Sequence, residues 1–182
     1  VPFRPWTPEP AGDARLLDLL PSATAAATVR RVLEEGLRAE GPVHANRLAR
    51  LTAWAFGIDR VPAALRESIL AVLPESATAV GEFLWPADLH RAGWTGFRRQ
   101  RWSADRPLEH IAPEEIGNAM VALSRAGAGG TRNDLFHASL AVFGHRRPHP
   151  VLFPLLEVAL SQALVEDRLT DTPSGLIPAA PR

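Results

Sequence analysis

Sliding the chain against itself by 87 positions lays Phe143-Gly144 on Phe56-Gly57 and carries an apolar pattern with it. Leu48 meets Leu135, Thr52 meets Ser139, Leu65 meets Leu152, Ile69 meets Leu156 and Leu73 meets Leu160. Upstream, Val29 and Leu33 meet Ile116 and Met120, and a few residues out of step downstream Leu84-Trp85-Pro86 meets Leu176-Ile177-Pro178. Apolar helix positions alone are weak support, because any two amphipathic helices can be slid into register. A shared Phe-Gly turn and a shared Leu-apolar-Pro ending are not generic, so the pattern predicts an internal duplication.

Gly41 to Leu73 shows what is duplicated. Leu48, Leu51, Thr52 and Ala55 fall on one helical face, Phe56-Gly57 closes that helix, Val61-Pro62 opens another, and Leu65, Ile69 and Val72 line its inner face. This is a helix-turn-helix pattern. Ahead of it, Ser22–Glu40 reads as a helix capped by Ser22 or Thr24, with Val29, Val32, Leu33 and Leu37 as its apolar stripe. Glu40-Gly41-Pro42 ends that helix and Val43 is extended. Behind it, Ala77–Val80 and Glu82–Trp85 read as a hairpin about Gly81. Helix, short strand, helix, turn, helix, hairpin is the order of a winged helix.

In the second copy Pro113, Glu114 and Glu115 suit a helix N-terminus, and Ile116, Met120 and Leu123 form its stripe. Gly127, Gly129 and Gly130 break it. Thr131 with Asp134 resembles a capping box, ahead of Leu135, Ala138, Ser139 and Val142 facing inward. Pro150 is predicted to open a longer helix through Ala163, and Val165–Asp171 with Gly175–Pro178 to form a hairpin around Thr172-Pro173-Ser174. The predicted fold is mainly α with small β-hairpins, as two tandem winged-helix domains. Residues 1–21 form a Pro-rich lead, 22–86 the first repeat, 87–112 a connector and 113–182 the second repeat. Phe3, Trp6 and the Leu16, Leu17, Leu19 and Leu20 group are predicted to pack on the first repeat; the other reading of the lead is a proline-motif ligand.

Composition narrows the function. The apolar fraction of 46% is enough for packed cores and excludes a disordered chain. No apolar run has membrane-spanning length and no signal peptide is visible. Cys is absent, so disulfides and thiolate metal sites are excluded, which fits a cytoplasmic setting. The first residue is Val, so the chain is expected to be a piece of something longer. All twenty basic residues are Arg, a bias that fits GC-rich coding or a preference for bidentate phosphate and base contacts. Net charge is zero, and within Val29–Pro86 seven Arg meet seven acids, whereas tight DNA binders usually carry a basic excess.

Three Arg groups remain as candidate contacts. Arg60 and Arg66 sit near the start of the helix after the first turn, beside Asp59 and Glu67, an arrangement that also suits a solvated face. His145, Arg146, Arg147 and His149 precede Pro150, where helix N-terminal donors meet phosphates; Glu166, Asp167 and Asp171 in the adjoining hairpin oppose this. In the connector, HRAGWTGFRRQRW interleaves Arg91, Arg98, Arg99 and Arg101 with Trp94, Phe97 and Trp102, so charge and stacking could grip a single strand. The alternative is that the Trp rings glue the repeats and the Arg stems cover them. His44, His90, His110 and His137 are scattered, and His145 and His149 have no carboxylate close by, so no metal or cofactor is expected. His137 is predicted to be a partly buried packing residue. Ser139, Ser161 and Ser174 lack a nucleophile-elbow setting, which argues against a hydrolase.

The runs EGPVHANRLARLTAWAFGIDR, EFLWP and HIAPEEIGNAMVAL resemble the bacterial domain-of-unknown-function family numbered 3320, over roughly Trp6 to Pro178. That family usually sits C-terminal to a superfamily-one helicase ATPase and a restriction-endonuclease-like domain. The resemblance therefore implies a non-catalytic accessory module of a DNA-processing protein, with those upstream domains as partners in the same chain. It supplies no catalytic residue, and no P-loop or nuclease carboxylate motif is present. Two functions follow as expectations: engagement of duplex or single-stranded DNA, or docking onto a protein through the same winged-helix surface.

Overall fold

Helix-forming stripes and glycine stops alternate along most of this chain, and the computed structural model, which describes residues 1–127, 130–147, 149–173 and 175–178, turns them into seven α-helices and five short strands. The fold is mainly helical with small antiparallel sheets. The chain divides into two compact units, Pro5–Ala92 and Val1–Arg4 with Gly93–Arg182.

The first unit is built from α1 (Ala14–Asp18), α2 (Ala23–Glu40), β1 (Val43–His44), α3 (Ala45–Trp54), α4 (Ala63–Leu70), β2 (Thr78–Val80) and β3 (Phe83–Trp85). Ser22 occupies the N-cap position of α2 without a side-chain hydrogen bond, and Gly41 is its C-cap. Val29, Val32, Leu33 and Leu37 are buried along α2 against Leu48 of α3 and Ile69 of α4. Each leucine-sized side chain so buried is worth about 1.5–3 kcal/mol. The predicted hairpin forms about Gly81, and β1 joins it in the order β1-β3-β2, with Val43 opposite Leu84. Gly57 closes α3 at φ 76°, and the Ile58 N–H donates to the Ala53 carbonyl at 3.1 Å. Pro62 is the N-cap of α4 rather than its first residue. The Trp6 ring lies against Gly36, where a Cβ would come within 2.5 Å of it. Buried Glu40 fixes this segment: its Oε1 accepts from the Trp6 N–H at 2.8 Å, and Arg47 pairs with the same carboxylate.

The second unit holds α5 (Pro113–Arg125), α6 (Arg132–Val142), α7 (Phe153–Val165), β4 (Leu169–Thr172) and β5 (Gly175–Pro178). Ile116 and Met120 of α5 are buried with Leu135 and Phe136 of α6 and Leu156 and Leu160 of α7. The Thr131–Asp134 capping box starts α6 as predicted. Gly144 ends it at φ 80°, and the His145 N–H donates to the Leu140 carbonyl at 2.9 Å. That hydrogen bond is the Ile58–Ala53 bond of the first unit moved along by 87 residues. Where β1 lies in the first unit, the Leu176 N–H here donates to the Gly130 carbonyl at 3.2 Å, and Gly130 falls on Val43 in the same shift.

Several expectations need correction. Phe3 belongs with the second unit, where its N–H donates to the Arg99 carbonyl at 2.7 Å, while Leu17 lies in the first core and Trp6 packs against it. Pro150 opens a 3-10 turn, Pro150–Leu152, because α7 itself starts at Phe153, and Val165 ends α7 instead of starting a strand. His137 is exposed, lying tilted against the Phe153 ring at 5.8 Å. Gly129 and Ser174 lie outside the described residues. No helix among the described residues is long and apolar enough to cross a membrane.

Candidate nucleic-acid interface

The segment that carries the aromatic and basic residues, Gly93 to Ala112, has little regular structure, so side chains must hold it. Glu115 does most of this. Read in sequence as a favourable charge at a helix N-terminus, it is completely buried and accepts from Arg98 Nη2 at 2.6 Å and from Arg106 Nη1 at 2.8 Å. The Arg98 backbone N–H also donates to Glu115 Oε1 at 2.9 Å. Burial alone would raise the Glu115 carboxyl, yet Arg106 and Arg98 together hold it below its ordinary value. Phe3 lies over the Arg106 guanidinium at 4.3 Å, a cation–π contact that offsets part of that cation's desolvation.

Gln100 ties the segment to the Phe-Gly turn. Its Nε2 donates to the Arg106 carbonyl at 2.6 Å and to the Phe143 carbonyl at 3.1 Å. Gly144 lets the backbone come closer still: a Cβ there would meet the Trp102 carbonyl carbon and the Ser103 nitrogen at 2.7 Å. Trp102 is thereby fixed at its backbone while its side chain stays outside, 46% exposed. Arg101 stacks on the ring at 5.0 Å and Arg146, which leaves the turn, stacks on it at 4.4 Å. The result is an exposed indole flanked by two guanidinium groups.

Of the residues singled out in sequence, the structure brings Arg101 and Arg146 together on Trp102 and leaves Arg147 and His149 exposed next along the chain. Arg99 is exposed beside Phe97, at 6.0 Å from its ring. Among the described residues no carboxylate forms an ion pair with Arg99, Arg101, Arg146 or Arg147. Arg98 is spent on Glu115 and does not face outward as a contact. Burial first, and then the neighbouring His149, lower the His145 pKa against an opposing pull from Glu109, which disfavours its cationic form. Arg60 and Arg66 lie in the first unit, exposed and half-buried respectively. Among the described residues no three His, Asp or Glu side chains gather as metal ligands.

Sequence reasoning found the Arg and Trp residues but missed Glu115, Gln100 and Arg106, which position them. Only the shortage of acids in the connector hinted that a carboxylate from elsewhere had to meet its Arg residues. The model of a family described as "Protein of unknown function (DUF3320)" matches residues 18–67, which lie in the first unit and support kinship over that stretch. No curated protein matches the chain, and no solved structure does.

Proposed function

We propose that the chain is a non-catalytic module of two winged-helix units that engages single-stranded nucleic acid through the Trp102 platform. The observation that carries this reading is the exposed indole between Arg101 and Arg146, with Arg147 following and no carboxylate paired to any of the three Arg among the described residues. A base stacking on the indole takes the place of a guanidinium group on the ring, and the displaced guanidinium is then free to meet a backbone phosphate. The winged-helix assignment is supported in the first unit by the order α2, β1, α3, α4, β2, β3 and by the sheet order β1-β3-β2. In the second unit it is supported by the equivalent helices and hairpin, with the Gly130–Leu176 contact standing in for the first strand. The family resemblance supplies a setting in which such a module would hold substrate for helicase and nuclease domains of the same protein.

Replacing Trp102 with Ala tests the contact. Base stacking on an aromatic is worth about 1–3 kcal/mol, so affinity for an unstructured oligonucleotide is expected to fall by about fivefold to a hundredfold, with far-UV circular dichroism unchanged. Equal affinity in the variant would remove Trp102 from the interface.

A second reading, protein docking, is favoured by α7. In a winged helix this is the element that would enter the major groove, yet FPLLEVALSQALV carries no basic residue and exposes Val158 and Val165. That face is suited to another protein surface and not to DNA.

A further inference from the structure

We infer that the first unit carries a second site for an unpaired base, built from Trp54 and Arg50 at the end of α3. The inference takes its ligand from the nucleic-acid reading of Trp102 and extends that reading to the first unit. Of the five Trp residues, Trp85 is buried and Trp6 and Trp94 are half-buried, which leaves Trp54, at 44% exposed, as the counterpart of Trp102. Arg50 lies over the Trp54 ring at 5.5 Å, as Arg101 and Arg146 lie over Trp102. Both indoles stand at a Phe-Gly turn. The Gly57 N–H donates to the Trp54 carbonyl at 3.0 Å, and Gly144 is the glycine that seats the Trp102 backbone.

The internal duplication does not account for this likeness. Moved along by 87 residues, Trp54 falls on Ala141 and Arg50 on His137, so the second unit folds without an indole at that place. Each unit takes its exposed Trp from a different part of the chain, one from α3 and one from the irregular segment after Gly93. An indole left in water forgoes the gain from burying it. Its recurrence at the same turn, each time under a guanidinium group, calls for a ligand. The surroundings of Trp54 say which. Helix α3 exposes only Asn46, Arg50 and Trp54, four residues apart and therefore on one line down the helix. No acid occurs in α3, and among the described residues no carboxylate pairs with Arg50. A protein partner is met by an apolar patch, whereas the indole is the single apolar member of this line. A base stacking on Trp54 takes the place of the Arg50 guanidinium, which then turns to a phosphate. The Asn46 amide offers a base edge both donors and an acceptor. Beyond the turn exposed Asp59 precedes Arg60, so Arg50 is the cation of the site.

Nuclear magnetic resonance of the isotope-labelled full chain reads the two sites separately, because each indole N–H gives its own signal. The Trp54 and Trp102 signals are identified by their loss in Trp54→Phe and Trp102→Phe. On titration with oligothymidylate both signals are expected to shift, and the Trp54 signal is expected to keep shifting in Trp102→Ala. Arg50→Glu leaves the ring in place, reverses the charge beside it, and is expected to abolish the Trp54 shift. A Trp54 signal that stays fixed while Trp102 moves would overturn the proposal and leave the Trp102 platform standing. A Trp54 signal that moves while Trp102 stays fixed upholds the proposal and removes the platform; if neither moves, both fail. A Trp54 shift undiminished by Arg50→Glu also overturns the proposal. So does a Trp54 signal that responds to chain concentration and not to oligothymidylate, which marks a contact with a second chain.

Discussion

Glu115 decides whether the Trp102 platform has a fixed position. It is the carboxylate shared by Arg98 and Arg106, and both arginines belong to the irregular segment that ends in the exposed indole. Glu115→Ala would leave Arg106 buried without its carboxylate, and breaking a buried pair costs about 3–5 kcal/mol. A chemical denaturation midpoint well below that of the wild type is the expected result; an unchanged midpoint would mean the cluster does not support the second unit. The same residue gives a pH dependence. Its carboxyl is lowered in the folded chain, because attraction by Arg106 and Arg98 outweighs burial, so the unfolded chain binds the proton more readily. The stabilisation is complete above the unfolded value, near 4.5, and is lost as pH falls through the lower folded value. Acid denaturation followed by circular dichroism should show this loss, and Glu115→Gln should flatten it. None of this could be read from the sequence. Glu115 lies 9 residues from one partner and 17 from the other, and their meeting depends on the path of a segment without periodicity.

Local chemistry, by contrast, was legible where a few adjacent residues determine the outcome. The Thr131–Asp134 box needs only the spacing of hydroxyl and carboxylate, and the Phe-Gly stops need only a glycine able to adopt positive φ. The start of α7 was less legible, because Pro150 fits a 3-10 turn as well as an α-helix, and backbone hydrogen bonding makes the choice. The two Phe-Gly turns also provide a matched test. Gly57 has φ 76° and open space where a Cβ would stand, whereas at Gly144, with φ 80°, a Cβ would meet the backbone at Trp102 and Ser103 at 2.7 Å. Gly57→Ala should therefore cost only the left-handed strain, about 1 kcal/mol. Gly144→Ala adds a clash with backbone and should cost the second unit clearly more, while weakening oligonucleotide binding by shifting Trp102. Equal losses of stability in the two variants would contradict the account of how the turn seats that segment.

At the scale of the whole molecule, each unit has its own core, and the lead of the chain is divided between the units: Trp6 packs against the first core, and Phe3 joins the second unit at Arg99 and Arg106. The apolar stripes that predicted these cores were legible because burial repeats with the helical period, as Leu48 and Leu135, or Ile69 and Leu156, illustrate. The division of the lead was not, because Phe3 and Trp6 are both apolar aromatics and nothing in their spacing says which unit each will join. Zero net charge means that any nucleic-acid contact must come from a local patch and not from the field of the molecule. The measurement that tests this most directly is fluorescence anisotropy of labelled single-stranded and duplex oligonucleotides across a salt series. If Arg101, Arg146 and Arg147 each meet a phosphate, single-strand affinity is expected to fall with a log–log slope of about −2, to exceed duplex affinity, and to be lost on Arg146→Glu with Arg147→Glu. Absence of binding to either oligonucleotide by the folded chain at low salt would contradict the central claim.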